Sequence, residues 1–226
     1  MKIVSSEGII IDRYNTNEAD LMVTIFSESF GKIKTLLKGV RKSKKREQAA
    51  LDVLVKSKFI LIKKEEYYTV SKFELLDNFE AIKKNLSKIY ITMYVLEILN
   101  RSMLEGERDR KIYRLTIKTL EYLEKENVFW REALCISYFL FKVVEHMGLL
   151  DLNHRKFFQN LEEKTSVGQE LINNIFSDKM RENIKILEEL EDSEAEKEVF
   201  QFIYDIEKYI NEQADIGLNL KKYLLG

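Results

Sequence analysis

Proline is absent from the 226 residues and glycine occurs only eight times, so collagen-like, loop-rich and low-complexity architectures are excluded. A single cysteine, Cys135, cannot form an intramolecular disulfide. With only two histidines, His146 and His154, a Cys/His zinc cluster has too few ligands. That thiol usage fits a reducing compartment. No apolar run approaches the roughly 18 residues of a membrane span, and the opening MKIVSSEGIII has an acidic residue where the apolar part of a signal peptide would lie. A cytoplasmic location without membrane contact is expected. Charge of one sign is missing as well: 37 Lys and Arg against 38 Asp and Glu give a formal net charge of -1, which excludes a uniformly basic nucleic-acid coat. At 45% hydrophobic residues the chain is no low-hydrophobicity disordered polymer and can fill one large core or two small ones.

The balanced total hides an asymmetry. Residues 1–80 carry 15 basic and 12 acidic side chains, a surplus of +3, whereas the remaining 22 basic and 26 acidic residues carry -4. The two parts also differ in hydrophobic period. From Gly8 to about Leu76 the apolar residues come in short β-branched and aromatic runs, GIIIDRY, DLMVTIFS, GKIKTLLKGV, LDVLVKSKFILI and YYTVSKFEL, separated by polar breaks. This predicts five strands, with turns at Asn15 to Asp20, Ser29 to Gly31 and Lys63 to Glu66. Only Arg41 to Ala50 can be a helix or a loop. Five short strands with one longer excursion after the third fit a small closed barrel of the OB type better than a sandwich, which needs about seven.

After Asp77 and Asn78 the period becomes helical. Ile89, Met93, Leu96, Leu99 and Met103 share one face, as do Ile112, Leu115, Thr119 and Leu123. Val128 to Met147 is apolar nearly all round, which places it at the centre of a helical domain ended by Gly148. Ser193 with Glu196 reads as a capping box ahead of Val199, Ile203, Ile206 and Ile210. The expected architecture is therefore all-β plus all-α: an N-terminal OB-fold barrel over 1–78 and a C-terminal α-helical domain over 79–226.

The residue types that carry catalysis are poorly placed. Gly31-Lys32 is followed by isoleucine and lacks the glycine that a phosphate loop needs, and no G-x-G-x-x-G occurs. Cys135 lies in the most apolar helix, where a thiol is packing material, and His146 suits the carbonyl end of that helix. His154 lies along a loop. Glu188, Glu189, Glu191, Asp192 and Glu194 form a run that reads as a solvated helix end rather than a separated acid/base pair.

The basic run is different. From Gly31 to Arg46 eight cations (Lys32, Lys34, Lys38, Arg41, Lys42, Lys44, Lys45 and Arg46) occur without one acidic residue. If residues 32–38 form a strand, the two-residue period puts Lys32, Lys34 and Lys38 on one face and Ile33, Thr35 and Leu37 on the other. Lysines also blunt strand edges, but a sixteen-residue segment free of acid favours a polyanion. Each phosphate neutralised on a single strand makes affinity fall by about 0.7 log units per log unit of salt. Tyr14, Phe26, Phe59, Tyr67, Tyr68 and Phe73 are the aromatic candidates for base stacking; most belong to a core, and Tyr67 and Tyr68, beside a hairpin tip, are the best placed for exposure.

The order of these features resembles the bacterial RecO family of recombination mediators. The resemblance rests on G-I-I-I followed by Tyr14, the turn with Glu18 and Asp20, Leu21 to Phe26, and above all Gly31-Lys32-Ile33, Lys38-Gly39 and Arg41-Lys42-x-Lys44. It continues through Tyr94-x-x-Glu97 and His146-Met147-Gly148-Leu149-Leu150 to Leu218 through Leu225. It implies an OB-fold followed by a helical bundle, without catalytic turnover or a cofactor. It further implies binding of single- and double-stranded DNA, annealing of complementary strands, association with RecR, engagement of the C-terminal tail of single-stranded DNA-binding protein (SSB), and help in loading RecA, with nucleoid association during repair. The family's basic motif falls on Lys32, Lys38, Arg41, Lys42 and Lys44. Many relatives carry a four-cysteine zinc module after Gly-Leu-Leu, whereas this chain continues Asp151-Leu152-Asn153-His154, so no structural zinc is expected. Two other classes share parts of the pattern: a protein-interaction adaptor without DNA affinity, and an RNA-binding OB module.

Overall fold

The computed structural model describes residues 2–16, 18–42, 48–65, 67–149, 166–176 and 179–224. Five strands come first: β1 (Lys2–Asn15), β2 (Leu21–Ser27), β3 (Gly31–Leu37), β4 (Lys56–Lys64) and β5 (Tyr67–Asp77). Among the described residues eight helices follow: α1 (Glu80–Lys84), α2 (Leu86–Ser102), α3 (Arg110–Lys125), α4 (Phe129–His146), α5 (Ser166–Phe176), α6 (Met180–Glu188), α7 (Asp192–Ala214) and α8 (Lys221–Leu224). The sheet is antiparallel throughout, in the order β3-β2-β1-β4-β5. Its two outer strands, β3 and β5, meet, so the sheet curls toward a closed barrel. The all-β plus all-α expectation and the OB-like order of strands hold.

β1 serves both halves of the barrel. Its first half, Lys2 to Ile9, pairs with β4, and its second half, Gly8 to Asn15, pairs with β2. Gly8 sits where the partners change: a Cβ there would lie 2.6 Å from Ile25 Cγ2 and 3.1 Å from the carbonyl oxygen of Phe26. Strand alternation then sorts the side chains. Ile10, Val23, Ile25, Ile33, Leu37, Phe59, Leu61 and Val70 point inward and form the barrel core.

Two local expectations change. The run beginning at Leu51 becomes strand only at Lys56: Leu51 closes a 3-10 turn (Gln48–Leu51), and Leu54 turns the chain at φ +63°. Leu54 N–H donates to the Ile10 carbonyl and Ile10 N–H donates to Val55, at 2.9 and 3.0 Å. Leu51 joins the barrel core, Val53 packs against it, and Leu54 and Val55 are buried; burial outside a strand shows the same hydrophobicity as a strand. Likewise Ser193 caps nothing. α7 begins one residue earlier, after an extended Glu191, and has no side-chain cap; Asp192 is instead held by Trp130, whose Nε1–H donates to Oδ1 at 3.0 Å.

By compactness, residues 1–84 and 96–118 form one unit, and 85–95 with 119–226 a second. In the first, Phe26 alternates outward from β2 yet is fully buried, its ring 5.9 Å from that of Tyr113 on α3. Part of the helical chain thus covers one outer face of the barrel. In the second, α4 is buried along most of its length and packs on α7. There Tyr94 Oη donates to Glu207 Oε1 at 2.6 Å, and the same oxygen accepts the backbone N–H of Leu220 at 2.5 Å. Lys88 Nζ, also buried, donates to the carbonyl of Leu123 at 2.9 Å and to the carbonyl of Glu126, which caps the end of α3 with a cation. α4 ends at His146, as expected, with Gly148 two residues on at φ +73°.

Candidate nucleic-acid interface

β3 has the alternation that its sequence implies: Ile33, Thr35 and Leu37 are buried, while Lys32 and Lys34 share the outer face. Lys38 lies just past the strand end and is exposed. The cations of the segment nevertheless divide by what surrounds them. Lys32 is half-buried, and its Nζ donates to the carbonyl oxygen of Asn100 at 2.7 Å, near the C-terminal end of α2. Its own backbone carbonyl accepts Gly106 N–H at 2.9 Å. Burial lowers the Lys32 pKa from the usual lysine value, against the pull of Glu105 and with a further push from Lys34. A favourable place for a cation is the carbonyl end of a helix, so Lys32 works as a staple between the barrel and the turn before α3.

Gly31 explains why that turn can come so close. It has φ +67°, and a Cβ on it would stand 1.8 Å from the Glu107 carbonyl oxygen. The glycine and lysine at the start of the family motif thus hold the 105–107 turn against β3.

Lys34 is exposed and belongs to the open part of the same face. The cross-strand rows are Tyr14, Met22, Leu36 and, next to it, Asp12, Thr24, Lys34. Tyr14 is 45% exposed, and Lys34 Nζ lies 5.6 Å from its ring centroid. An exposed ring with an ammonium group beside it offers a nucleotide a surface for the base and a charge for the phosphate. Beyond the strand, the β1–β2 turn holds the start of the basic segment: Gly39 N–H donates to Asp20 Oδ1 at 2.8 Å and Arg41 N–H to the Ala19 carbonyl at 3.0 Å. Arg41 and Lys42 are exposed in a 3-10 turn (Val40–Lys42), and Lys42 Nζ is 2.9 Å from Glu18 Oε2.

Thus Lys34, Lys38, Arg41 and Lys42 gather with Tyr14 at one end of the barrel, and Lys32 is engaged elsewhere. Lys44, Lys45, Arg46 and His154 lie outside the described residues. Of the aromatic candidates, Phe26 and Phe59 are buried, Tyr68 packs 5.1 Å from Phe30, and Tyr67 is exposed. Composition did not single out Tyr14. Parity alone misplaces it: four residues from the core residue Ile10 it would point inward, and only the register shift between Ile10 and Asp12 moves it to the outer face.

A small antiparallel barrel with an aromatic-cationic outer face, joined to a helical domain, defines an OB-type barrel protein with a helical extension. The family description "Recombination protein O N terminal" matches residues 1–79 and "Recombination protein O C terminal" matches residues 83–155. The chain belongs to the Recombination protein O family. It is similar to the protein named DNA repair protein RecO of Caldanaerobacter subterraneus, at 27% identity over 150 residues, 66% of this chain and 60% of that protein. The protein of the same name from Acetivibrio thermocellus is 33% identical over 125 residues, 55% of this chain and 50% of its own length. The one from Thermoanaerobacter sp. is 25% identical over 150 residues, 66% and 60%. The chain spans half to three-fifths of the length of these relatives.

Proposed function

We propose that this protein acts in DNA repair and recombination by binding DNA strands on its barrel. In this reading it anneals complementary strands and, with RecR, helps RecA load on DNA coated by SSB, whose C-terminal tail it engages. Family membership and the name shared by its relatives support the repair role. The observation that carries strand binding is the Tyr14–Lys34 pair on the open outer face, continued by Lys38 and Arg41.

The chemistry is positioning and makes no covalent bond. Ammonium and guanidinium groups replace condensed counterions along a phosphate backbone, which lets two strands approach with less repulsion. The ring of Tyr14 stacks on a base of any identity, so sequence selectivity is low.

Fluorescence anisotropy with a labelled single strand tests this. Replacing both residues, Tyr14→Ala with Lys34→Ala, removes one stacking surface of about 1–3 kcal/mol and one phosphate contact, so affinity falls roughly tenfold or more. Unchanged affinity refutes the assignment. Competition by an RNA strand of the same sequence separates a DNA mediator from an RNA-binding module, because the strand backbones differ at the 2′-hydroxyl. Faster annealing of SSB-coated complementary oligonucleotides on adding the protein tests the mediator role; no change in rate counts against it.

A further inference from the structure

Backbone direction along the first half of β1 leaves an open edge. In a strand, the N–H and C=O of one residue point to one side and those of the next residue to the other. Ile10 marks one side, because its N–H and C=O bond Val55 and Leu54 just ahead of β4. Glu7 marks the other, because its carbonyl accepts Glu28 N–H at 3.0 Å in the turn after β2. Lys2, Val4 and Ser6 therefore face β4, with which they pair, and Ile3 and Ser5 face away from it. β2 pairs with β1 only from Gly8 onward. Among the described residues no strand lies along Ile3 and Ser5, and both are exposed, Ile3 at 68%.

The edge is matched to itself. Ser29 N–H donates to Ser6 Oγ at 3.1 Å, and together with the Glu28 bond this turn closes the edge at Ser6 and Glu7. The open stretch runs from Lys2 to Ser6, and its middle residue is Val4. A second copy running antiparallel about a two-fold axis at Val4 sets Ile3 of each copy opposite Ser5 of the other, and residues so paired exchange both of their N–H···O=C bonds. The same register keeps like charges apart: Lys2 falls opposite Ser6 of the other copy, beside the turn that carries Glu28, which has the opposite sign. On the outer face Ile3 already sits next to Ile62, and Ser5 next to Ile60. Pairing brings the exposed Ile3 side chains of the two copies within reach on the diagonal. A foreign extended segment would meet the same backbone groups; a second copy also brings the complementary charge and the apolar neighbour.

We propose that two copies of this chain pair through the Lys2 to Ser6 edge of β1, joining two barrels by one continuous antiparallel sheet. The edge ends roughly 26 Å of strand path before Tyr14, at about 3.3 Å per residue, so pairing leaves Tyr14 and Lys34 of both copies open. Only the consequence rests on the strand-binding reading above: one dimer presents two strand-binding faces, and two strands held on one particle share a raised local concentration, which speeds their annealing.

Sedimentation equilibrium of the full chain over a concentration series, without nucleic acid, reads the association. The wild type is expected to pass from monomer to dimer, and Ser5→Pro to need a concentration about tenfold higher or more, because proline removes the N–H that faces the edge and leaves the ladder to β4 intact. Ser5 is exposed, and circular dichroism checks the fold of the variant. Cross-linking reads the register. The two Val4 residues form a non-hydrogen-bonded pair with Cα atoms about 4.5 Å apart, so Val4→Cys links two chains under mild oxidation, whereas Lys2→Cys, far from its own counterpart, does not. A wild type that stays monomeric, with the edge free or taken by a different protein, overturns the proposal, as does a dimer that Ser5→Pro leaves intact. Either result leaves the Tyr14 face standing, because strand affinity is measured separately by anisotropy. A wild type that dimerises but binds no strand overturns the strand-binding reading and leaves the dimer standing. Where both hold, Ser5→Pro keeps its strand affinity per chain and anneals about tenfold more slowly.

Discussion

Two lysines separated by one residue are expected to behave in opposite ways, and the difference follows from geometry alone. Lys34 is exposed beside Tyr14, whereas Lys32 is half-buried and donates to the Asn100 carbonyl. A cation that contacts a phosphate on a single strand contributes about 0.7 to the slope of log affinity against log salt. Lys34→Ala therefore lowers the magnitude of that slope by about 0.7, and the combined change of Lys34, Lys38 and Arg41 to alanine lowers it by about 2. Lys32→Ala leaves the slope unchanged and lowers stability instead. The lost charge-assisted hydrogen bond is worth about 1.5–3 kcal/mol at most, less for its partial exposure, which for a chain of this size is a fall of several degrees in Tm, at about 2–4 °C per kcal/mol. Lys42 is intermediate, since its exposed pair with Glu18 is weak and a phosphate can displace the carboxylate; Glu18→Gln raises affinity. Anisotropy titrations over a salt series, with thermal melts of the same variants, measure both quantities. If Lys32→Ala reduces the salt slope as much as Lys34→Ala does, the division of the basic segment into staple and contact is wrong.

Three further outcomes follow from the packing. Gly31→Ala forces a Cβ to 1.8 Å from the Glu107 carbonyl at φ +67°, so the 105–107 turn must move away from β3; a loss of roughly 2–4 kcal/mol in urea unfolding is expected, and wild-type stability would contradict it. Tyr113 keeps a buried Oη without a hydrogen-bond partner among the described residues, and burial, with Glu7 and Glu28, pushes its hydroxyl up. Tyr113→Phe retains the ring contact with Phe26 and is expected to be neutral or to stabilise by up to about 1 kcal/mol; a loss beyond about 1 kcal/mol would reveal a partner for the hydroxyl. The Cys135 thiol is pushed up to about 12 by burial, against its hydrogen bond with Thr119. It therefore reacts with a disulfide reagent at pH 8 far more slowly in the native than in the unfolded protein; native labelling as fast as that of the unfolded chain would place that thiol in a different setting.

The change from a two-residue to a helical period was legible in the residues themselves, because each period follows from the geometry of the backbone that carries it. So was the inward set of β3, since Ile33, Thr35 and Leu37 alternate with lysines. Where burial came without periodicity the sequence was ambiguous. Leu51 to Val55 look like strand yet precede it, with Leu51 in the barrel core, and Ser193 looks like a cap while Trp130 claims Asp192 one residue earlier.

That a strand-rich, basic segment precedes an acidic helical one, and that eight cations stand together without an acid, is read from the residues alone. Which of the described cations face solvent is set by packing. Lys32 and Lys34 are the same residue type on the same face of one strand, and they part because the 105–107 turn and the end of α2 lie over one and leave the other open. The partner that makes this distinction is 68 residues away along the chain. Composition and local period carry no information about contacts at that separation; packing does.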